Sequence, residues 1–587
     1  MREWLSGRAS PCQGERREFE SRLPLQTQKT HFASFVIWRH SQVVRQRPAK
    51  PLSPVQIRVA PPKRNDNFRK KVVVSFCTLS YSLFSLHFSQ KIVVSIKQII
   101  ENFVLKNPYC YKLSMYILKP CVIILAKGSE FMAVRTNSLD IINGPLWGKI
   151  LKFSALFMLT AFLQHLYNAA DIVVVGRFAG PESLAGVGTC SVIVNLFLNF
   201  ILGLSAGATI VLGQAIGANN REDINKAAHT SIAVAIYGGF IISVICLLFT
   251  KQLLYMIDVP ENVIPEASSY LRIMSIGFIP SLIYNFGASM LRAKGDTKRA
   301  LYIVTISGII NVLLNLFFVC ILKMKASGVA TATVISQVFT AMAILYILCN
   351  EPDDLKIRLN KIRIYKKQFF KILRFGLPSG IQSSVYSLSN IIVQSSINSF
   401  GAIAIAGSSA ASSITNFYSV MVNSLYQASL VFSSQNFGAK KFDRIKTTIF
   451  ICITYVIGLG IIQSAITFFG SEFLISLYAP DDPAVIEMGC RKLSIIGYSY
   501  MTLGIMNIMS GTLRGMGASF LNMITSIIGV CGIRILWIFT AFKAIGTFES
   551  LMLCYPLSWI GTGIIHSMML IFLFKKEKRK FSDLKPC

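Results

Sequence analysis

Charged residues are scarce in this sequence, and acids are scarcest. Asp and Glu number 27 against 59 Lys and Arg, and together they make up 15% of 587 residues. A soluble chain carries about 25%. The three or four soluble domains that the length would allow are therefore excluded. Apolar residues stand in their place: 53% of the chain is hydrophobic and mean hydropathy is +0.55. Apolar runs of 20 or more recur from Ile150 to Phe574 between short polar loops. The fold class this implies is an all-α polytopic membrane protein.

Histidine is rarer still, at six residues. From Met132 onward only His165, His229 and His566 occur, far apart. There is no His/Asp cluster, no pair of carboxylates at one interface and no nucleotide-binding loop, so an intramembrane glycosyl- or acyltransferase has little to work with. The expectation is that the chain is not an enzyme. Thirteen cysteines are scattered, mostly inside apolar segments, and no pair has metal-ligand spacing. They read as small hydrophobes, and neither a metal nor a cofactor is expected.

The net charge of +32 resembles a nucleic-acid footprint, but its placement argues otherwise. Residues 1–131 hold 22 basic and 7 acidic residues, with few aromatics interleaved and no nucleic-acid module. No nucleic-acid partner is expected. This stretch also lacks a signal peptide's compact apolar core and cleavage site. Glu18-Phe19-Glu20-Ser21 can be encoded by bases found in the T-arm of transfer-RNA genes. Lys127-Gly128 can be encoded by a ribosome-binding sequence upstream of Met132. Residues 1–131 are thus expected to be a non-native extension of a bacterial reading frame, with translation starting at Met132. A disordered basic tail is the other reading.

After Met132 twelve spans are predicted, at 150–174, 184–212, 228–249, 269–291, 300–322, 326–348, 371–396, 402–431, 448–469, 493–512, 519–541 and 550–574. Each reaches the ~20 residues that cross a bilayer. The N-terminus from Met132, the even loops and the tail carry 28 Lys and Arg; the odd loops and their flanks carry 8. The basic bias predicts both termini on the cytoplasmic side of the plasma (inner) membrane. The predicted organisation is a first lobe (132–348), a basic linker (349–370), a second lobe (371–574) and a basic tail (575–587).

The halves repeat one another. Leu151-Lys152-Phe153 corresponds to Leu373-Arg374-Phe375, Asn168 to Asn390 and Asn285 to Asn507. Leu291-Arg292-Ala293-Lys294-Gly295 corresponds to Leu513-Arg514-Gly515-Met516-Gly517, all at an offset of 222. Gln214–Ala218 matches Gln435–Ala439 at 221. Six spans per half is an even number, so the repeat is parallel and its axis lies along the membrane normal. Two such bundles enclose a cleft that opens to one side at a time as they rock, which is the geometry of a transporter.

YNAADIVVVGRFAG (Tyr167 to Gly180), QAIGAN (Gln214 to Asn219), LRAKGD (Leu291 to Asp296) and GLPSGIQSS (Gly376 to Ser384) resemble the multidrug and toxic compound extrusion (MATE) family. The resemblance runs from about Leu139 to Phe574. It implies a twelve-helix antiporter of two six-helix lobes that expels organic cations in exchange for H⁺ or Na⁺. A flippase for lipid-linked sugars shares the two-lobe plan but would need several Arg and Lys in the cleft. The expected partners are small-molecule substrates and the lipid bilayer, with the protein a monomer.

Of the 20 acids after Met132, only Asp171 falls within a span. An ionised carboxylate at membrane depth costs several kcal/mol unless it is paired, hydrated or protonated, which suits it to carry a proton. The resemblance gives the Asp of this motif the coupling ion. Asn168 lies one turn earlier; Asn311 and Asn315 share a face of span five at i, i+4. The family pattern there is Asn followed four residues later by Asp, and this chain has Asn315 instead. One carboxylate fewer weakens a Na⁺ cage and favours H⁺. Thr333 matches a family Thr on span six. Leu156 stands where many family members have proline, whereas the second half keeps Pro378. A proline bend in span one is therefore not expected. The second half offers polar cavity candidates, Gln382, Asn390 and Gln394, with Asn416, Asn423 and Gln427 beside them. Arg534 is expected to be its lone buried base. His165 reads as a polar residue at a helix interface.

Overall fold

The computed structural model describes residues 139–352, 354–478 and 482–582. The expected N-terminal extension lies outside the described residues. Twelve long helices follow one another. The first lobe holds α1 (Trp147–Phe178), α2 (Pro181–Gly217), α3 (Arg221–Leu248), α4 (Ile264–Lys294), α5 (Lys298–Ile321) and α6 (Lys325–Cys349). The second holds α7 (Lys366–Asn398), α8 (Ala402–Gly438), α9 (Phe442–Ser476), α10 (Pro483–Gly515), α11 (Ser519–Ile545) and α12 (Phe548–Glu577, continuing to Ser582). The helices overrun most predicted spans because polar residues carry them past the apolar window. Asn220 caps α3 by accepting from the Asp223 N–H, and Asp482 caps α10 by accepting from Ala484 and Val485.

Nine of these helices are long and apolar enough to cross a membrane on their own. The other three, α7, α8 and α10, all lie in the second lobe and are diluted by Ser, Asn and Gln. Around both lobes large apolar side chains face outward, among them Phe240, Leu248, Phe450, Phe469 and Phe572. Only lipid can cover a belt of that extent.

The repeat recurs in the backbone. Gly295 ends α4 with φ +90°, and Gly517 follows α10 with φ +89°. Glycine takes this left-handed cap without the Cβ clash that other residues meet. α1 has no internal proline, whereas Pro378 lies inside α7.

The contacts between lobes gather at the end holding the start of α1 and the linker. Gly203 packs on the Gly380 backbone and Gly207 on that of Gly376. The Phe153 and Phe432 rings meet edge-on at 5.8 Å. The Gln214 side chain donates to the Gly515 carbonyl at 2.9 Å, and the Gln435 side chain donates to the Ala293 carbonyl at 2.5 Å. Each copy of the repeated glutamine thus reaches the repeated Leu-Arg motif of the other lobe. Toward the far end, Gln164 and Asn168 of α1 and Asn390, Gln394 and Asn398 of α7 are exposed. Amides so exposed would be costly against lipid, so these faces turn to water.

The linker is tied to the first lobe. Glu351, 2% exposed, accepts from Lys294 at the end of α4 and from Arg299 Nη1 near the start of α5 at 2.7 Å. Asp296 pairs with the same arginine. Burial alone would raise the Glu351 carboxyl, but hydrogen bonds from Arg299 and Lys294 and their charges outweigh it and hold it below the ordinary 4.5. A depressed acid contributes stability that is present above its unfolded value and lost as pH falls through its folded one. Glu351→Gln is expected to cost about 3 kcal/mol at neutral pH. Thermal unfolding in detergent should show the wild type losing this margin below pH 4.5, while the variant stays lower and flatter.

Candidate functional site

Asp171 stands on α1, two turns before its end, and points into the first lobe between α5 and α6. The Asn315 side-chain amide donates to its Oδ1, and the Thr333 hydroxyl on α6 donates to the same carboxylate. Asn315 also donates to Asn311 Oδ1 at 3.2 Å, and Asn311 donates to Thr333 Oγ1 at 3.4 Å. Four of the five residues singled out for ion coupling therefore form one hydrogen-bonded cluster on three helices. Among the described residues no Lys, Arg or His lies within ion-pair distance of Asp171. The carbonyl oxygen of Asn315 is buried and has no partner. Tyr270 of α4, buried nearby, is close enough to feel the Asp171 charge; nothing in the sequence pointed to it.

Asn168 does not join. Its position one turn before Asp171 is as expected, but its side chain is exposed while Asp171 turns toward α5 and α6. A spacing of three residues leaves the two side chains about 60° apart around the helix, and Asp171 falls on the edge nearer α5 and α6 while Asn168 falls on the exposed edge. Tyr167 is the neighbour that packs. Its ring lies on α5 at Gly308, where a Cβ would overlap the ring, and its hydroxyl donates to the Thr305 carbonyl at 3.3 Å. Gly308→Val is expected to displace that ring, shift Asp171 one turn on, and slow gradient-driven efflux on the order of tenfold at equal membrane abundance. Gly308→Ala should fall between the variant and wild type.

The second lobe places a base, not an acid, among the helices equivalent to α1, α5 and α6, though not at the position of Asp171, which corresponds to Val393. At the offset of 222, Asn168 maps to Asn390 on α7, Val312 to Arg534 on α11, and Thr333 to Tyr555 on α12. Arg534 is buried; its Nη1 donates to Asn390 Oδ1 at 2.9 Å, and it stacks over Tyr555 at 4.5 Å. The backbone agrees: both α5 and α11 wind into π-helical turns just past these residues, at Leu316–Ile321 and Ile538–Phe542. Such turns often mark functional sites.

Arg534 is not the only buried base of this lobe. Lys492 and Arg514 are buried too. The predicted span stopped at 493 and 512, and α10 runs past both ends, carrying these residues inside. Lys492 Nζ donates to the Ser408 carbonyl at 3.1 Å and to the Ser408 and Ser412 hydroxyls at 2.7 Å each. Arg514 donates to Tyr426 at 2.6 Å and to Gln382 at 2.7 Å. Gln382 is therefore buried inside the lobe, where it braces Arg514. Gln394 is exposed and donates to Asn398 at 3.0 Å.

The MatE family matches residues 157–317 and again 378–540, once in each lobe and over more than half of the chain. The chain belongs to the MATE family. As a MATE protein it is a multi-pass membrane transporter and not an enzyme. "Probable multidrug resistance protein YoeA" of Bacillus subtilis is 28% identical to it over 399 residues, covering 66% of this chain and 86% of the relative. "Probable multidrug resistance protein NorM" of Thermotoga maritima is 25% identical over 428 residues, covering 71% and 90%. A solved structure described as the outward-facing conformation of a multidrug resistance MATE family transporter superposes with a TM-score of 0.69 at 22% identity. It covers 75% of this chain and 99% of that one. At that identity the likeness speaks for the MATE fold alone: twelve helices in two lobes.

Proposed function

We propose that this MATE protein is a secondary active multidrug antiporter that exports small amphipathic compounds in exchange for H⁺. The observation that carries the reading is Asp171, an acid inside the first lobe whose hydrogen-bond partners are all neutral. A carboxylate so placed changes charge when a proton binds or leaves, and the lobe must accommodate both forms. Asn315, where a second acid would make a Na⁺ cage, donates an amide instead. The names of the relatives support a multidrug range, and the family resemblance puts organic cations within it. By the basic bias of the loops the linker end is cytoplasmic, as are both termini, in the plasma membrane. The lobes touch at that end, so the cleft faces outward, and a monomer supplies both of its walls.

The driving force is adequate. One charge crossing 100 mV releases about 2.3 kcal/mol. For a net-neutral substrate exchanged against one proton that sustains roughly a 40-fold gradient. The test is efflux of fluorescent amphipaths from proteoliposomes with H⁺ and Na⁺ gradients imposed one at a time. Efflux that follows the proton gradient is expected; efflux that follows Na⁺ alone, or neither ion, would contradict the reading.

A further inference from the structure

The second lobe holds a positive charge with nothing to balance it. Arg534 is 5% exposed, yet every partner it has is neutral: Nε donates to Ser558 Oγ at 3.2 Å, Nη1 to Asn390 Oδ1 at 2.9 Å, and the guanidinium lies over the Tyr555 ring. Among the described residues no carboxylate lies within ion-pair distance, and Nη2 has no hydrogen-bond partner. Burying a guanidinium without a counter-ion is costly, and such groups at membrane depth face cavities and ligand paths.

The other two buried bases of the lobe are already employed. Lys492 has three donors and three protein acceptors. Arg514 is locked inside the lobe by Gln382 and Tyr426. Arg534 differs in its outlet. Its partner Asn390 is exposed and begins a polar stripe along α7 with Gln394 and Asn398 at i, i+4 steps. A stripe of amides against lipid would be expensive, so this face turns to the aqueous cleft. The unpaired Nη2 and the cleft are then joined through Asn390.

We propose that Arg534, oriented from behind by the buried Ser558 and flanked by the exposed Asn390, forms a subsite for an acidic group, a carboxylate or phosphate, on the exported compound. The planar fork of the guanidinium suits two-point recognition of such a group. The proposal rests on the antiport reading and narrows its substrate: the compound carries an acid, alone or as a zwitterion, in place of a purely cationic amphipath. The cleft is then bipolar, with Asp171 on α1 of one lobe and, on α11 of the other, Arg534, whose counterpart in the first lobe is Val312 on α5. The energetics agree. A simple cation exchanged one for one with H⁺ moves no net charge, whereas a zwitterion or anion leaves with the membrane potential behind it.

The test is equilibrium binding to the purified full chain in detergent, read by fluorescence anisotropy against protein-free micelles. The probes are rhodamine B, which carries a free carboxylate, and its ethyl ester, the same dye with the acid masked. The acid is expected to bind about tenfold or more tighter than the ester, the scale of one charge-assisted hydrogen bond. Arg534→Gln should abolish that preference and leave ester binding in place. Asn390→Asp should abolish it too, in a protein whose guanidinium is filled by an internal carboxylate, which guards against misfolding of the first variant. Equal affinity for the two dyes in the wild type would overturn the proposal. So would a preference that survives both variants. A lipid headgroup is the rival source of an acid: if phosphatidylglycerol gives an Arg534-dependent thermal shift and rhodamine B does not, the substrate assignment falls. No gradient enters the measurement, so a negative result leaves antiport at Asp171 standing, and a failure of gradient-driven efflux would not touch the acid preference.

Discussion

Asp171→Asn is expected to bring gradient-driven efflux down to the protein-free rate at equal membrane abundance. On the proposed proton antiport, wild type should sustain roughly a 40-fold gradient of a net-neutral dye on 100 mV, and the variant none. The reason is local. The substitution keeps the size and shape of the side chain but removes the only group in the Asp171, Asn311, Asn315 and Thr333 cluster that can take up a proton. The fold should tolerate it. The carboxylate has no cationic partner to orphan, and removing a half-buried charge that lacks a counter-ion also removes its desolvation cost. Thermal unfolding should therefore stay at or above the wild-type value. Lost efflux with a preserved melting temperature separates coupling from structure; a large drop in melting temperature would mark Asp171 as a packing residue.

Closing the cleft at its linker end depends on two glycines, and enlarging them should shift the conformational balance. A Cβ on Gly217 would overlap the Gln435 carbonyl oxygen, and one on Gly438 would overlap the carbonyl of Gln214. The neighbours are backbone, which cannot rotate away. Overpacking of this kind costs about 1–3 kcal/mol, or roughly a 5- to 150-fold change in the ratio of closed to open forms. The cost falls only on the state in which the lobes meet here. Gly217→Val and Gly438→Val are thus expected to populate a form parted at the linker end. Spin labels on Lys152 and Lys446, both exposed and on opposite lobes, would report it. A longer distance in the variants is expected. An unchanged distance with normal transport would mean that this contact does not discriminate between states.

Much of this architecture was legible in the sequence, because lipid imposes long apolar helices and duplication leaves its offset. The twelve spans, their grouping and the 222-residue repeat follow from those two constraints. The clustering of Asp171 with Asn311, Asn315 and Thr333 was legible for a related reason: a lone acid within a span needs polar company, and little was on offer. What stayed hidden depended on rotation and on helix length. Asn168 and Asp171 look adjacent at three residues apart, yet Asn168 is exposed while Asp171 turns toward α5 and α6. Lys492 and Arg514 look like loop residues because an apolar window ends where charge begins, while the helix continues and buries them among hydroxyls and amides. The place of Arg534 beside Asn390 and Tyr555 shows only when the two lobes are laid over one another, since no local pattern links Val312 or Thr333 to their counterparts.

The proposed mechanism exchanges a proton on Asp171 for the substrate. It is tested most directly by adding a transported dye to the purified protein in lightly buffered detergent and following the pH with an indicator. Wild type is predicted to release up to about one proton per protein as the dye binds, and Asp171→Asn to bind dye and release none. Release that persists in Asp171→Asn, or no release from wild type at any pH where the dye binds, would contradict the account.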